Sequence, residues 1–557
     1  MIDVPVIDVA RWDLERLVGR MLEDEEVKKY LPTLKCEIEE LSDTIISYEA
    51  THDRPDLFSA EGLARALKGL LEIEVGIRKY RVGEDRVKLY ATGPSYRPYI
   101  VGAIVKGLDL DDESVKQLMN LQEKLHTTYC RNRRKASIGL YDLDKITPPF
   151  RYIHVDPDSV RFTPLEETRE MSLREILEKT EKGRLYAHLI KNYKTYPLLV
   201  DSNDVVLSMP PIINSEDTKV TEDTRRVFID VTGIDLDSII DILNIITTST
   251  AERGKETVIS LVEVQYGETT VVVPKLDLSK MVFDSSILEN LIGIKLEADE
   301  IISLLRKMRF DADISGDKIN VWIPPYRVDI LHPVDVAEDI AMAYGYENIG
   351  YEVLPPTGAG KISPIERFSK KIRDLMIGLQ FQEVANYMMN NPKTLVEAMR
   401  LENVKVVEVE NPKMEKYTAL RNWLLPELLE VLSYNKHLGY PLRIFEIGDV
   451  AIVDEREDVS VRIERHLCAV VQSEDTTLTD MMVYAKALFE SFGLKYEVVE
   501  VTHPSFIEGR SGKLIVHREE IGLIGEVHPE VITAFGLEAP VAAMEVNLNS
   551  FLRMLLG

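Results

Sequence analysis

A chain of 557 residues exceeds what one hydrophobic core can hold, so about three to five domains are expected. Apolar residues at 45% and charged residues at 29% match an ordinary folded protein, and no apolar run approaches the roughly 20 residues of a bilayer span. The net charge of −27 excludes broad polyanion binding, so any nucleic-acid contact should be local or helped by a second chain.

The opening stretch, Met1 to Asp8, carries acids where a secretory signal has bases. Cys36, Cys130 and Cys468 are too scattered for a metal-ligand motif or a disulfide framework. Both features predict a cytoplasmic protein with no membrane segment.

Residues 1–82 read as a small α/β unit. Thr51 to Ser59 is a turn running into a helix that Ser59 can cap, with Leu63, Ala66, Leu67, Leu70 and Leu71 at helical spacing. Residues 83–275 mix short strands and helices. Within them, Leu125 to Lys135 is the densest basic run, with Arg131, Arg133 and Arg134 interleaved with Tyr129 and Asn132. Such a run is either a solvated positive face or a place where phosphate and base are both touched. His126 reads as a structural histidine rather than a base.

Val206 to Asn214 ends a strand in a diproline loop and presents the Ser208 hydroxyl. Arg226 to Gly233 alternates at period two: Val227, Ile229 and Val231 on one face, Phe228, Asp230 and Thr232 on the other. Leu236, Ile239, Ile240 and Leu243 form the stripe of a following helix, which pins the strand end. Polar residues before a glycine are often plain turn formers. No Ser/His/Asp or Cys/His set supports nucleophilic catalysis.

Residues 276–352 predict a compact unit: a helix over about 298–309, hairpin-like strands over about 310–323, then a second helix. Pro333 suits the first turn of that helix. Asp335, Glu338 and Asp339 follow at i, i+3 and i+4 and share a face, with Asp329 able to fold back over it. These acids either complement the helix macrodipole or gather round a hard cation; oxygen-only ligation favours Mg²⁺ over Zn²⁺. Pro355, Pro356, Gly358 and Gly360 mark residues 353–364 as a linker. Residues 365–557 alternate helices with strands such as Leu442 to Ile447 and Lys513 to Val516.

Four stretches, in order along nearly the whole chain, resemble the β subunit of phenylalanine–tRNA ligase in its shorter archaeal and eukaryotic form. Asp53 to Leu57 with Ser59 to Gly62 resembles the N-terminal signature of that family. Ile138 to Asp144, Pro210 to Asn214 and Asp230 to Gly233 resemble its editing domain, and Ile323 to Asp329 through Ala343 to Tyr346 its metal-binding domain. Leu420-Arg421, Ile444 to Gly448, His503 to Phe506 and Gly525 to Pro529 resemble its synthetase-like module.

The resemblance implies a multidomain α+β fold: a β-rich editing domain, a small winged-helix-like metal-binding domain, and a class II synthetase-like antiparallel module without its own active site. It implies Mg²⁺ at Asp329, Asp335, Glu338 and Asp339, and an editing pocket at Leu199, Ser208, Asp230 and Thr232. The partners implied are an α subunit, in an α₂β₂ tetramer and holding ATP and phenylalanine, and tRNA(Phe). Arg131 and Arg134 are the candidate tRNA contacts. Cys130 stands where a glycine is expected, which puts the local loop geometry in question.

Class II active sites grip ATP phosphates with arginines, whose forked donors bind oxygens in pairs. Here no arginine stands in Ala451 to Val453, just after Ile447 to Val450, and none lies in Gly536 to Glu545, so adenylation falls to the α chain. Phenylalanine and tyrosine differ by one hydroxyl, which an apolar pocket rejects only by about 10²-fold. A second, hydrolytic site on this chain would remove mischarged tyrosyl-tRNA(Phe). The alternatives are a free-standing trans-editing hydrolase and a non-enzymatic assembly scaffold.

Overall fold

Ser59 ends the turn after the strand Ile45–Ala50 and starts the helix Ala60–Leu70, its side chain accepting from the Gly62 amide at 3.2 Å. Leu63, Ala66, Leu67 and Leu70 are buried, as their spacing predicts. The same region holds a three-stranded antiparallel sheet, ordered Val6–Ala10, Ile45–Ala50, Cys36–Leu41. Buried Arg253, just past the helix Leu236–Ala251, pairs with Asp13 at 2.7 Å and with Glu61. Those ion pairs tie the helices beside this small sheet to the segment that contains Arg253.

The computed structural model describes residues 4–351, 353–354 and 358–556, in two compact units, 1–353 and 354–557. Pro355, Pro356 and Thr357 of the expected linker lie outside the described residues, as do Met1, Ile2 and Asp3 of the acidic opening.

A ten-stranded mixed sheet dominates the first unit. From one end it runs Ile213–Asn214, Val206–Met209, Tyr196–Val200, Phe150–Val155, Arg81–Ala91, Val258–Tyr266, Tyr99–Lys106, Arg226–Gly233 and Ala136–Asp142, with Thr269–Val273 branching from Val258–Tyr266. The end strands meet. Asn214 Nδ2 donates to the Leu140 carbonyl at 3.5 Å, and Tyr141 Oη lies 2.8 Å from Ser208 Oγ. Accumulated strand twist has curled the sheet round on itself.

Arg226–Gly233 is second from one end, hydrogen-bonded on both edges. The helix Leu236–Ala251 packs on it and on Tyr99–Lys106. Every residue from Val227 to Gly233 is therefore buried, and the period-two pattern separates two covered faces rather than core from solvent.

The expected unit near residue 300 is a three-stranded antiparallel sheet, ordered Ser279–Asp284, Lys318–Ile323, Asp311–Ser315, with the helices Ala298–Lys307 and Pro333–Tyr344. The hairpin and both helices match the sequence expectation; Ser279–Asp284 is an added strand. Pro333 opens its helix and His332 caps it.

In the second unit a seven-stranded sheet runs Gln382–Glu383, Leu442–Val453, Val461–Gln472, Val541–Asn547, Glu519–Val527, Phe506–Val516, Glu497–Glu500. All neighbours are antiparallel except the first pair. Alternation along Val461–Gln472 feeds two cores. Leu467, Ala469 and Val471 pack with Ile372, Phe489 and Phe551, while Cys468 and Val470 pack with Leu425, Leu428 and Leu432.

Candidate functional site

The curl of the large sheet encloses a cavity of about 430 Å³. Ser137, Gly139 and Tyr141 of the strand Ala136–Asp142 line one side and Asp230 of the next strand joins them. Ser208, Pro210, Pro211 and Ile213 close the opposite wall, with His126, Glu123 and Arg133 at the helix side. The lining mixes apolar side chains such as Ile138, Leu140 and Ile213 with polar and charged ones, and its size suits a small ligand.

Tyr141 Oη is the centre of the polar group. It donates to Asp230 Oδ1 at 2.5 Å and lies 2.8 Å from Ser208 Oγ. Burial pushes the Asp230 carboxyl up to about 7, against the Tyr141 hydrogen bond and the Arg97 charge, which both lower it. Burial and the neighbouring Asp230 hold the Tyr141 phenol well above its usual value, so it stays a proton donor.

Ser208 and Asp230, expected from the sequence, thus line one cavity and share one partner. Leu199 and Thr232 do not line it. Leu199 pairs across the strands with Ser208 and is fully buried behind the wall. The Thr232 hydroxyl accepts from Arg97 Nε at 2.9 Å and lies 2.9 Å from Ser137 Oγ. It therefore reaches the cavity only through Ser137, not by direct contact.

The basic run divides in two. Arg131 and Arg134 are exposed, whereas Arg133 is buried. Arg133 donates to the Pro211 and Ile212 carbonyls at 3.2 and 2.9 Å and to Glu123 at 3.0 Å, and its guanidinium lies over Tyr186 at 4.3 Å. Cys130 is fully buried, and the left-handed residues come after it: Arg131, Asn132 and Arg133, at φ of 52°, 52° and 63°. The loop's left-handed turn thus does not require a glycine at 130. His126 lines the cavity and is anchored through both ring nitrogens. Its Nε2 accepts from the Ile138 amide at 2.8 Å and Nδ1 faces Glu123 at 3.3 Å, and burial lowers it to about 4, so it is neutral near pH 7.

Tyr141, Gly139, Arg97 and Arg133 were not singled out from the sequence as site residues. The available signal was the alternation of Gly139 and Tyr141, which puts both on one face opposite Asp230 once the strands pair.

The acidic quartet lies in a separate cleft of about 110 Å³, lined also by Lys35, Asp53, Arg54 and Arg327. Arg327 takes up Asp329 at 2.7 Å and Asp339 at 2.5 Å. Asp335 accepts from the Leu331 and His332 amides at 2.8 and 2.7 Å, and Glu338 meets Lys35 at 2.7 Å. The repulsion among four carboxylates is thus relieved in part by arginine and lysine. Among the described residues no group of three or more His, Cys, Asp or Glu side chains stands ready round one point for a metal ion. The cleft nevertheless lines five carboxylates against three cations. That excess and its oxygen donors suit a divalent hard cation.

In the second unit, Arg421 Nη1 bridges Glu427 at 2.6 Å and Glu446 at 2.7 Å, all three buried. Glu545 accepts from the Leu424 and Leu425 amides at 3.0 and 3.1 Å and lies 2.8 Å from His466 Nδ1.

Three family models match in chain order: the B3/4 domain over residues 109–255, the tRNA synthetase B5 domain over 281–346, and the phenylalanyl tRNA synthetase beta chain CLM domain over 353–548. Together they make this an aminoacyl-tRNA synthetase chain, a multidomain α+β protein of tRNA charging. A phenylalanine–tRNA ligase beta subunit of Thermofilum pendens is 48% identical over 555 residues, covering 100% of this chain and 99% of that one. Its counterpart in Methanocaldococcus jannaschii is 41% identical, covering 98% of this chain and 100% of that protein. A crystal structure of an N-terminal fragment of the Pyrococcus horikoshii phenylalanyl-tRNA synthetase beta-subunit superposes with a TM-score of 0.59 at 42% identity, covering 61% of this chain and 100% of the fragment. The chain belongs to the phenylalanine–tRNA ligase beta subunit family, and no helix among its described residues is long and apolar enough to cross a membrane.

Proposed function

We propose that this chain proofreads for its ligase, hydrolysing tyrosyl-tRNA(Phe) in the cavity where Ser208, Tyr141 and Asp230 meet. The observation that carries the reading is that hydrogen-bonded trio, set beside apolar Ile138, Leu140, Pro210 and Ile213 in a cavity of about 430 Å³. A tyrosine ring suits the apolar walls and its hydroxyl finds polar partners, whereas phenylalanine leaves those partners dry. Water adds to the ester carbonyl, the bond to the ribose oxygen breaks, and that oxygen takes the proton, giving free tyrosine and uncharged tRNA. Thr232 and Arg97 act behind Ser137 to fix the wall. Exposed Arg131 and Arg134 guide the acceptor end of the tRNA, a local positive patch on an acidic chain.

Activation of phenylalanine belongs to an α subunit that holds ATP and the amino acid, in an α₂β₂ assembly. What supports this is that Arg421, which reaches Glu446 from outside its strand, is committed to two buried carboxylates and is not free for phosphate. The 365–557 module then serves as a class II-like scaffold without its own active site, after a 1–82 α/β domain, an 83–275 editing domain, a 276–352 winged-helix-like domain and a 353–364 linker. For the acidic cleft, Asp329, Asp335, Glu338 and Asp339 are the residues to hold Mg²⁺, supported by the cleft's excess of carboxylates. The ion supplies charge compensation there. A cytoplasmic location accords with this role in protein synthesis.

Replacing Asp230 with Ala should slow hydrolysis of tyrosyl-tRNA by the assembled ligase and leave phenylalanine-dependent pyrophosphate exchange unchanged. Unchanged deacylation rejects the site. The chain alone should give no exchange, and robust adenylate formation without α rejects the division of labour.

A further inference from the structure

The Tyr141 ring is packed on the side away from the cavity that its phenol lines. The ring has no exposure and stacks against Phe228 at 5.9 Å, and Phe228 in turn stacks on Phe150 at 4.2 Å. Behind Phe228 there is no room to retreat, because a Cβ on Gly102 would come within 2.9 Å of its ring. The ring therefore has no room to withdraw from the cavity that its phenol lines. It is part of the wall.

Gly139 makes the central contact possible. It pairs across the strands with Asp230, and a Cβ there would lie 2.0 Å from Tyr141 Oη and 2.4 Å from Asp230 Oδ1. The missing side chain leaves the space in which phenol and carboxylate meet. Among the described residues Tyr141 is the hydrogen-bond partner of the Asp230 side chain, and the bond is made through Oδ1 alone. One carboxylate oxygen is thereby pinned and the other, Oδ2, is left for whatever enters the cavity that Asp230 lines.

We propose that Tyr141 is a positioning residue that sets specificity, its phenol fixing Asp230 so that the free carboxylate oxygen meets the hydroxyl of a phenolic ligand. This rests on the proofreading reading above and adds to it a residue that touches the ligand only through Asp230. A buried carboxylate held on one side presents a fixed acceptor, and a site built to bond a hydroxyl discriminates strongly against the analogue without one. Freed of the phenol, the carboxylate can turn on its own torsion and its aim is lost. Ser208 then no longer shares a partner with it.

The test uses the assembled ligase carrying Tyr141→Phe, which keeps the ring stack and removes only the hydroxyl. The ratio of kcat/KM for tyrosyl-tRNA over phenylalanyl-tRNA should fall at least about tenfold, chiefly through KM for the tyrosyl substrate. The acid limb of the hydrolysis profile should move to higher pH, because the lost hydrogen bond favours charged Asp230. The remaining groups facing that carboxyl, Arg97 and Tyr152, are untouched by the substitution. A merely structural role would slow both substrates alike and leave the profile in place, and that result overturns the proposal. Calorimetry with tyrosinamide and phenylalaninamide gives a second readout that needs no hydrolysis. If the wild-type ligase fails to hydrolyse tyrosyl-tRNA, the proofreading reading falls. The proposal then stands on tyrosinamide being preferred by wild type and not by Tyr141→Phe, and equal binding by wild type overturns it.

Discussion

Lys35 Nζ lies 2.7 Å from Glu338 Oε2 and so places an ammonium at the mouth of the acidic cleft. The same nitrogen is 3.0 Å from Asp53 Oδ2. A lysine ammonium is a compact point charge and competes directly with a divalent ion for a carboxylate. Lys35→Met should therefore tighten Mg²⁺ binding to the full chain, and Glu338→Gln should weaken it, in calorimetric titrations with millimolar MgCl₂. Weaker binding by Lys35→Met removes Glu338 from the proposed ligand set.

Asp230 makes stability depend on pH. Its folded value of about 7 lies above the unfolded value near 3.9. Between those values the folded chain holds a proton that the unfolded chain has lost. Its contribution is thus fully present below about pH 4 and declines as pH rises to about 7. Asp230→Asn removes this decline. The difference in melting temperature, variant minus wild type, should rise from pH 5 to pH 7 for the full chain; a flat difference rejects the raised carboxyl.

Much of this was legible from residue order. Ser59 as a cap, Pro333 at a helix start and the hairpin before it follow from local rules that tertiary packing did not override. The pairing of Ser208 with Asp230 required the family resemblance, because 22 positions of chain separate them and only the curl of the sheet joins their strands. Tyr141 was hidden for a related reason: as the aromatic of a period-two strand it reads as core, and its hydroxyl gains meaning only from what faces it. The acidic quartet was legible as a group of carboxylates but not as an ion-pair cluster. Lys35, which completes it, is 303 residues from Glu338.

The basic loop should separate binding from folding. Arg131→Ala and Arg134→Ala remove exposed charges and should leave the melting temperature unchanged within about a degree, each weakening tRNA binding with a smaller salt dependence. Arg133→Ala strips a buried guanidinium from two carbonyls, Glu123 and the Tyr186 ring. It should cost about 2–4 kcal/mol in denaturant unfolding, since the two carbonyls lose a buried charged donor, while exposed Glu123 is rehydrated. Equal stability of all three variants contradicts the division.

Arg421 offers the strongest test of the second unit. Its guanidinium holds Glu427 and Glu446 in the dry layer between the sheet and the helix Leu425–Tyr434, and its charge opposes the upward push of burial on Glu427. Removing one partner of a buried ion pair leaves an uncompensated charge, which costs about 3–5 kcal/mol. Arg421→Met should lower the urea midpoint accordingly, and adding Glu427→Gln should recover part of the loss by deleting one orphaned carboxylate. Trp423 is the single tryptophan of this unit and donates to the Leu395 carbonyl at 3.3 Å, so its fluorescence reports the local transition once Trp12 and Trp322 are replaced by Phe. If Arg421 were instead a loose phosphate-binding residue, the single variant would keep its midpoint and the double variant would gain nothing. A midpoint unmoved by Arg421→Met would thus remove the packing argument for an inactive module.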